Sequence, residues 1–253
     1  MNETTLAKMS HLKFYGMHAA FKTAIETGKT DDYTLDQFIA QLIEAEWDDR
    51  YNRRIARNIK NARFRYIASV EKIIYSEDRN LEQNKLQRLA QCEFIHKGEC
   101  ILITGSTGVG KSYIATALGY QGCIEGHRIV YFNTTKLFAK LKMAKAEGSY
   151  VKELAKISRQ HLIILDDFGL QTLDNQNRMA LLEIIEDRHG HGSVIITSQL
   201  PVSGWYDVIG EKTIADAIMD RLVHQAHRIE LEGESMRKKK TITKDEMITK
   251  INQ

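Results

Sequence analysis

The stretch Ile101-Leu102-Ile103-Thr104-Gly105-Ser106-Thr107-Gly108-Val109-Gly110-Lys111-Ser112-Tyr113-Ile114-Ala115-Thr116 decides the fold of this chain. A short β-branched run leads into a glycine-rich turn, and a helical pattern follows. Gly105 to Ser112 match G-x-x-x-x-G-K-[ST] without departure. Gly105, Gly108 and Gly110 allow the backbone to curl with its N–H groups inward, and the helix behind them presents its positive end to an anion. Residues Gly105, Ser106, Thr107, Gly108, Val109, Gly110, Lys111, Ser112 and Tyr113 therefore read as a cradle for the phosphates of ATP. Lys111 is expected to reach the β- and γ-phosphates, and the Ser112 hydroxyl to ligate Mg2+.

Working outward, short apolar runs recur at 100–104, 129–132, 162–165, 194–197 and, more weakly, 227–231, with helical stretches between them. Runs that are apolar on both sides need cover on both sides, so the alternation predicts an α/β fold with a parallel sheet flanked by helices. The third run ends Leu162-Ile-Ile-Leu165-Asp166-Asp167, placing two carboxylates at the carboxyl edge of a strand beside the phosphate loop. Asp166 is expected to hold magnesium, and Asp167 to polarise the attacking water or take its proton. One run lies between these two strands in sequence and another follows them. That order resembles the additional-strand P-loop ATPases, including AAA+ proteins, more than nucleotide kinases or GTPases. The fourth run ends Thr197-Ser198-Gln199; Ser198 and Gln199 jointly are read as the polar group that senses the γ-phosphate.

A chain of 253 residues with 43% hydrophobic and 27% charged residues is globular in composition, and no apolar run approaches a membrane span. The start has no charged-then-apolar leader pattern, and Cys92, Cys100 and Cys123 form neither a CxxC pair nor an even framework, so the expected compartment is the cytoplasm. Net charge is only +3, but its distribution is uneven. Residues 1–75 show helical spacing (Leu12, Tyr15, Ala19; then Phe38, Leu42, Ala45 after an Asp31-Asp32-Tyr33-Thr34 start) and read as a small all-helical domain ahead of an ATPase domain at 76–253. Within it Arg50, Arg53, Arg54, Arg57, Lys60, Arg63 and Arg65 occur with no acidic residue among them, and Tyr51, Phe64 and Tyr66 lie close by. On a helix these cations form a stripe able to track a phosphate backbone. Such contacts give affinity with little sequence discrimination, so the expected ligand is double-stranded DNA of low specificity. Glu44, Glu46, Asp48 and Asp49 stand ready to neutralise part of the stripe. His224 with His227, and His189 with His191, have metal-compatible spacing but no third ligand in view.

Taken together, the phosphate loop, Leu165-Asp-Asp-Phe-Gly169, Ile196-Thr-Ser-Gln-Leu-Pro201, Ile218-Met-Asp-Arg-Leu222 and Leu231-Glu-Gly-Glu-Ser-Met-Arg237 resemble the IstB transposition helper ATPases, AAA+ relatives of the DnaC helicase loaders. The resemblance covers nearly the whole chain, including Lys60-Asn-Ala-Arg-Phe64. Its Thr-Ser-Gln-Leu-Pro and Gly-Glu-Ser-Met-Arg segments favour the helper over the loader, which stands as the alternative. It implies an ATPase that forms a homo-oligomer on DNA and engages a cognate transposase. Arg221 then takes the arginine-finger position facing a neighbouring subunit's ATP, where a permanently charged guanidinium suits the developing negative charge. Arg237 takes the second-sensor position within its own subunit, although only a short charged stretch follows it. A monomeric small-molecule kinase is disfavoured, since no acceptor pocket or lid is evident.

Overall fold

A computed structural model describes residues 2–28, 33–224 and 226–236. The chain divides into two compact units, Met1–Arg57 and Asn58–Gln253.

The first unit is helical: α1 (Asn2–His11), α2 (Tyr15–Thr27) and the beginning of α3 (Leu35–Ala62). A reciprocal cap starts α3, the Gln37 N–H donating to Thr34 Oγ1 while the Thr34 N–H donates to Gln37 Oε1. Asp31 and Asp32 of the expected start signal lie outside the described residues. Helices α2 and α3 meet where Gly16 has no side chain; a Cβ there would sit 2.1 Å from the Ala45 carbonyl oxygen. Phe21 packs against Phe38 at a centroid distance of 6.1 Å. Buried Glu46 accepts the Gly16 and Met17 N–H groups, so α3 supplies the anion that the first turn of α2 favours.

The second unit is built on a five-stranded parallel sheet of order β2-β3-β4-β1-β5: β1 (Cys100–Gly105), β2 (Ile129–Asn133), β3 (Leu162–Phe168), β4 (Ser193–Ser198) and β5 (Ala226–Leu231). All five expected strands are present. Alternate residues go to opposite faces. Ile101, Ile103, Ile129, Leu162, Ile164 and Ile195 face a core completed by α4 (Gln83–Ala90), α5 (Glu93–Lys97) and α6 (Lys111–Ile124). On the other face Leu102, Ile163, Leu165, Val194 and Ile196 pack with α7 (Thr134–Ala146), α8 (Tyr150–Ser158), α9 (Asn175–Arg188), α10 (Trp205–Ile209) and α11 (Lys212–Val223). Ala62, Ala68 and Ile73, just beyond the end of the first unit, are buried in the α6-side core. At the end of the sheet away from the phosphate loop, buried Arg188 donates to the carbonyls of Ile157, Gln160, His161 and Ser193 and ties the α8–β3 connection to the α9–β4 connection. Among the described residues no helix is long and apolar enough to cross a membrane.

Candidate nucleotide site

β1 delivers the chain to a turn in which Gly105, Gly108 and Gly110 all have positive φ (140°, 89° and 102°), a region open to glycine at no steric cost. Gly105 is further constrained, because a Cβ would lie 2.2 Å from the Leu231 carbonyl oxygen. Lys111 is buried, and its Nζ donates to the carbonyls of Gly105 and Ser106 at 2.7 Å each, so the ammonium closes the loop from within. The 14-residue helix α6 starts here, its first-turn N–H groups facing the cradle. Thr107 at the loop tip donates to Gln199 Oε1 at 2.8 Å, which brings Gln199 to the phosphate loop.

Asp166 is fully buried at the carboxyl edge of β3. Three hydroxyls converge on its carboxylate: Ser112 Oγ on Oδ1 at 2.7 Å, Thr197 Oγ1 on the same oxygen, and Tyr131 on Oδ2. Burial and the bond to Asp166 push the Tyr131 phenol well above its ordinary range. The paired register explains the convergence. Tyr131 aligns with Ile164, and Ile164 with Ile195, so the residues two further along, Asp166 and Thr197, emerge on the same α6-facing side. A hydroxyl and a carboxylate at 2.7 Å beside an anion cradle form a hard-oxygen donor set that fits magnesium.

Asp167 sits on an irregularity of β3, where the pairing register shifts between Leu165 and Phe168, and has φ 60° without being glycine. Strain of this kind persists only where the surroundings impose it. Its N–H donates to Thr197 Oγ1, and its Oδ2 accepts from Asn133 Nδ2 at 3.1 Å and lies 4.0 Å from Arg65 Nη1. Burial first, then the Asp166 charge, raise its carboxyl above the usual range, against the opposing pull of Arg65, Lys111 and Asn133.

Several placements differ from the sequence expectation. Ser198, read with Gln199 as the γ-phosphate sensor, projects to the face opposite Asp166, where its buried hydroxyl donates to the Phe168 carbonyl and accepts the Leu200 N–H. Thr197 is the residue whose hydroxyl joins Asp166 and Asp167, bonding Asp166 Oδ1 and accepting the Asp167 N–H. Arg65, expected on the DNA-facing stripe, also lies with its Nη1 4.0 Å from Asp167 Oδ2. Arg221 is on α11, donating to the Ala217 carbonyl and to Glu186 Oε1 at 3.0 Å. Arg237 lies outside the described residues. The segment just before it rests on the phosphate loop, with the Met236 N–H donating to the Gly108 carbonyl at 2.9 Å.

Two further residues reach the site: Arg79, which carries no motif in the sequence, and Tyr66, expected beside the basic stripe. Arg79 is 4% exposed and donates from Nη2 to the Val109 carbonyl at 2.7 Å, bracing the loop from beneath. Tyr66 stacks on Tyr113 with ring centroids 6.1 Å apart, and its phenol is pushed up to about 12 by burial and then by the Asp166 charge.

In the first unit Arg50 pairs with Glu46 at 2.6 Å and Arg53 with Asp49 at 2.6 Å, so acidic residues of the same helix do neutralise part of the stripe. Arg50, Arg53, Arg54 and Arg57 nevertheless line an open concavity of about 550 Å3 with Lys13, Trp47 and Tyr51. Arg53 lies over the Tyr15 ring at 4.8 Å and Arg54 over the Tyr51 ring at 5.3 Å. Lys60 and Arg63 are exposed in the second unit. Among the described residues no group of three His, Cys, Asp or Glu side chains is placed to hold a metal ion; His227 pairs with Glu99.

The profile of the family described as "IstB-like ATP binding protein" matches residues 7–244. An insertion sequence ATP-binding protein of Sinorhizobium fredii, y4pL, is 41% identical over 234 residues, spanning 92% of this chain and 96% of its own. Among solved structures, the DnaC helicase loader superposes with a TM-score of 0.53 at 22% identity, over 65% of this chain and 97% of its own. AMPPCP-bound DnaA from Aquifex aeolicus superposes with a TM-score of 0.58 at 16% identity, over 69% and 53% of the two chains. At these identities the structural likeness speaks to the fold, which is that of the AAA+ ATPases.

Proposed function

The chain belongs to the IstB-like ATP-binding protein family, and from that premise we propose that it is an ATPase which assembles with its own copies on double-stranded DNA, engages a transposase there, and hydrolyses ATP at the interfaces between copies. The observation that carries this reading is the node at Asp166, where the phosphate loop and strands β2 and β4 meet one buried carboxylate through Ser112, Tyr131 and Thr197. A change at the phosphates is transmitted to the ends of three strands through that one group.

The working parts follow from their positions. The loop N–H groups and the ammonium of Lys111 bind the phosphates, with Lys111 exchanging its two loop carbonyls for phosphate oxygens. Ser112 and Asp166 would hold magnesium, which when bound neutralises charge building on the transferred phosphoryl group. Asp167, oriented by Thr197 and Asn133, takes a proton from the attacking water. Gln199, tied to the loop through Thr107, reports the γ-phosphate to the turn after β4. Arg221 acts on the ATP of a neighbouring copy after leaving Glu186, and Arg237 acts within its own copy. The arginine-lined, aromatic concavity of the first unit grips the DNA backbone with little base discrimination. The insertion-sequence description carried by the relatives supports a transposase as the partner. The cytoplasm, where DNA and ATP are both at hand, is the proposed compartment.

The decisive experiment is duplex DNA binding by the purified protein with ATP, ADP and a slowly hydrolysed analogue, with subunit stoichiometry measured in parallel. Assembly on DNA is expected with ATP and the analogue and lost with ADP. Binding indifferent to nucleotide refutes the reading.

A further inference from the structure

The chain leaves α3 at Ala62 and turns through Arg63, whose φ of 56° ends the helix. Phe64 then packs onto α6 so closely that a Cβ at Gly119 would come within 2.9 Å of its Cε1. This anchor fixes the next two residues: Tyr66 lies on Tyr113, and the Arg65 guanidinium approaches Asp167 Oδ2, the oxygen that Asn133 also holds. The Arg65 side chain stays 57% exposed, so it touches the site from the solvent side. Arg50 and Arg53 pair within their own helix; among the described residues of the basic run, Arg65 is the one whose ion pair is with the nucleotide site.

We propose that Arg65 is a positioning residue that couples DNA binding to hydrolysis: its guanidinium restrains Asp167 until a phosphate of bound duplex DNA competes for it. This rests on the reading that Asp167 activates water and that the basic run meets DNA. A guanidinium accepts carboxylate or phosphate with the same two-pronged geometry, so the exchange is between like partners. An exposed ion pair at this separation shifts an equilibrium by roughly two- to five-fold, small enough for a single phosphate contact to reverse. Asn133 keeps its own bond to Asp167, so release of Arg65 loosens the carboxylate without freeing it entirely.

Linkage makes the idea testable in both directions, since an interaction that DNA must break opposes DNA binding by the same factor. The first measurement is duplex DNA affinity of the full chain, by fluorescence anisotropy with the slowly hydrolysed ATP analogue bound, for the parent, Asp167→Asn, Arg65→Gln and the double variant. Asp167→Asn is expected to tighten binding about two- to five-fold, and the gain to vanish when Arg65→Gln is also present. Tightening that persists in the double variant overturns the proposal, because it then reflects only the loss of a negative charge. The second measurement is ATP turnover with and without DNA. Arg65→Gln should raise the DNA-free rate and lower the stimulation ratio, with Arg65→Lys restoring part of the restraint; an unchanged ratio overturns the proposal. If instead Asp167→Asn leaves turnover intact, the catalytic reading of Asp167 fails, while the anisotropy cycle still judges the coupling.

Discussion

Replacing Thr197 by Val keeps the volume of the side chain and removes one hydroxyl. That hydroxyl is fully buried, donates to Asp166 Oδ1 and accepts the Asp167 N–H. Loss of the charge-assisted bond costs about 2 kcal/mol and the orphaned backbone N–H about 1–2 kcal/mol, for a total of about 3–4 kcal/mol. For a chain of this length each kcal/mol lowers the melting temperature by about 2–4 °C, so the variant should melt roughly 10 °C below the parent. The Asp167 bend loses its tether as well, and kcat should fall at least tenfold while fluorescent-nucleotide affinity, set by the phosphate loop, changes less than threefold. Ser198→Ala is the matched control: it removes a hydroxyl that bonds Phe168 and Leu200 on the other face, and should cost stability but not turnover. Calorimetry and steady-state ATP hydrolysis on the two variants check the reasoning. It is refuted if Thr197→Val turns over like the parent, or if Ser198→Ala is the variant that loses activity.

Three further expectations follow from local geometry. Gly108→Ala forces a residue at φ 89° to carry a Cβ 2.2 Å from Ser235 Oγ, so nucleotide affinity should fall tenfold or more by fluorescence titration; a loss under twofold would contradict the tight packing of residues 233–236 on the loop. Arg188→Leu removes the guanidinium bonds to four carbonyls, of which those of Ile157 and His161 keep a backbone N–H, and should cost about 3–5 kcal/mol of stability by denaturant unfolding, with nucleotide affinity unchanged at low temperature because the site lies at the opposite sheet edge. Burial raises the Glu46 carboxyl, but the Arg50 bond and the Met17 and Gly16 N–H groups outweigh it and hold the group below its ordinary value of 4.5. Its stabilisation is therefore present above that value and lost as the pH falls through the lower folded value, and Glu46→Gln should flatten the pH dependence of thermal melting between pH 5 and acid.

The sheet was legible in the sequence because a strand covered on both faces must be apolar throughout, and four runs, from Ile101 to Thr197, have that character, while the edge strand His227-Arg-Ile-Glu-Leu231 alternates polar and apolar residues and reads more weakly. The end of the helical part was harder to read. Helical spacing and basic residues run on past Arg57 without a break, yet Ala62, Phe64, Ala68 and Ile73 are spent on the α6-side core. Small and apolar residues in a polar stretch carry no periodic signature that distinguishes a helix face from a strap laid over the core of its own unit. Arg79 was hidden for the same reason: it lies in a polar connecting stretch, and a buried arginine looks like any other until the Val109 carbonyl it serves is known.

At the site, the phosphate loop and the Asp166-Asp167 pair were readable because their chemistry demands fixed residue types at fixed spacing. The choice among Thr197, Ser198 and Gln199 was decided by parity, which was already available. Strand residues alternate in direction, so once Ile164 and Ile195 are known to share a face, Asp166 and Thr197 must share it too, and Ser198 cannot. What parity could not supply was the register that sets Ile164 opposite Ile195, since hydrogen-bonded pairing between distant strands leaves no mark in either strand alone. The same reasoning reaches Tyr131, paired with Ile164 from the other side. A tyrosine in an apolar run reads as core until its neighbour on the next strand ends in a buried carboxylate, and the three hydroxyls on Asp166 emerge only when three strands and the loop are aligned together.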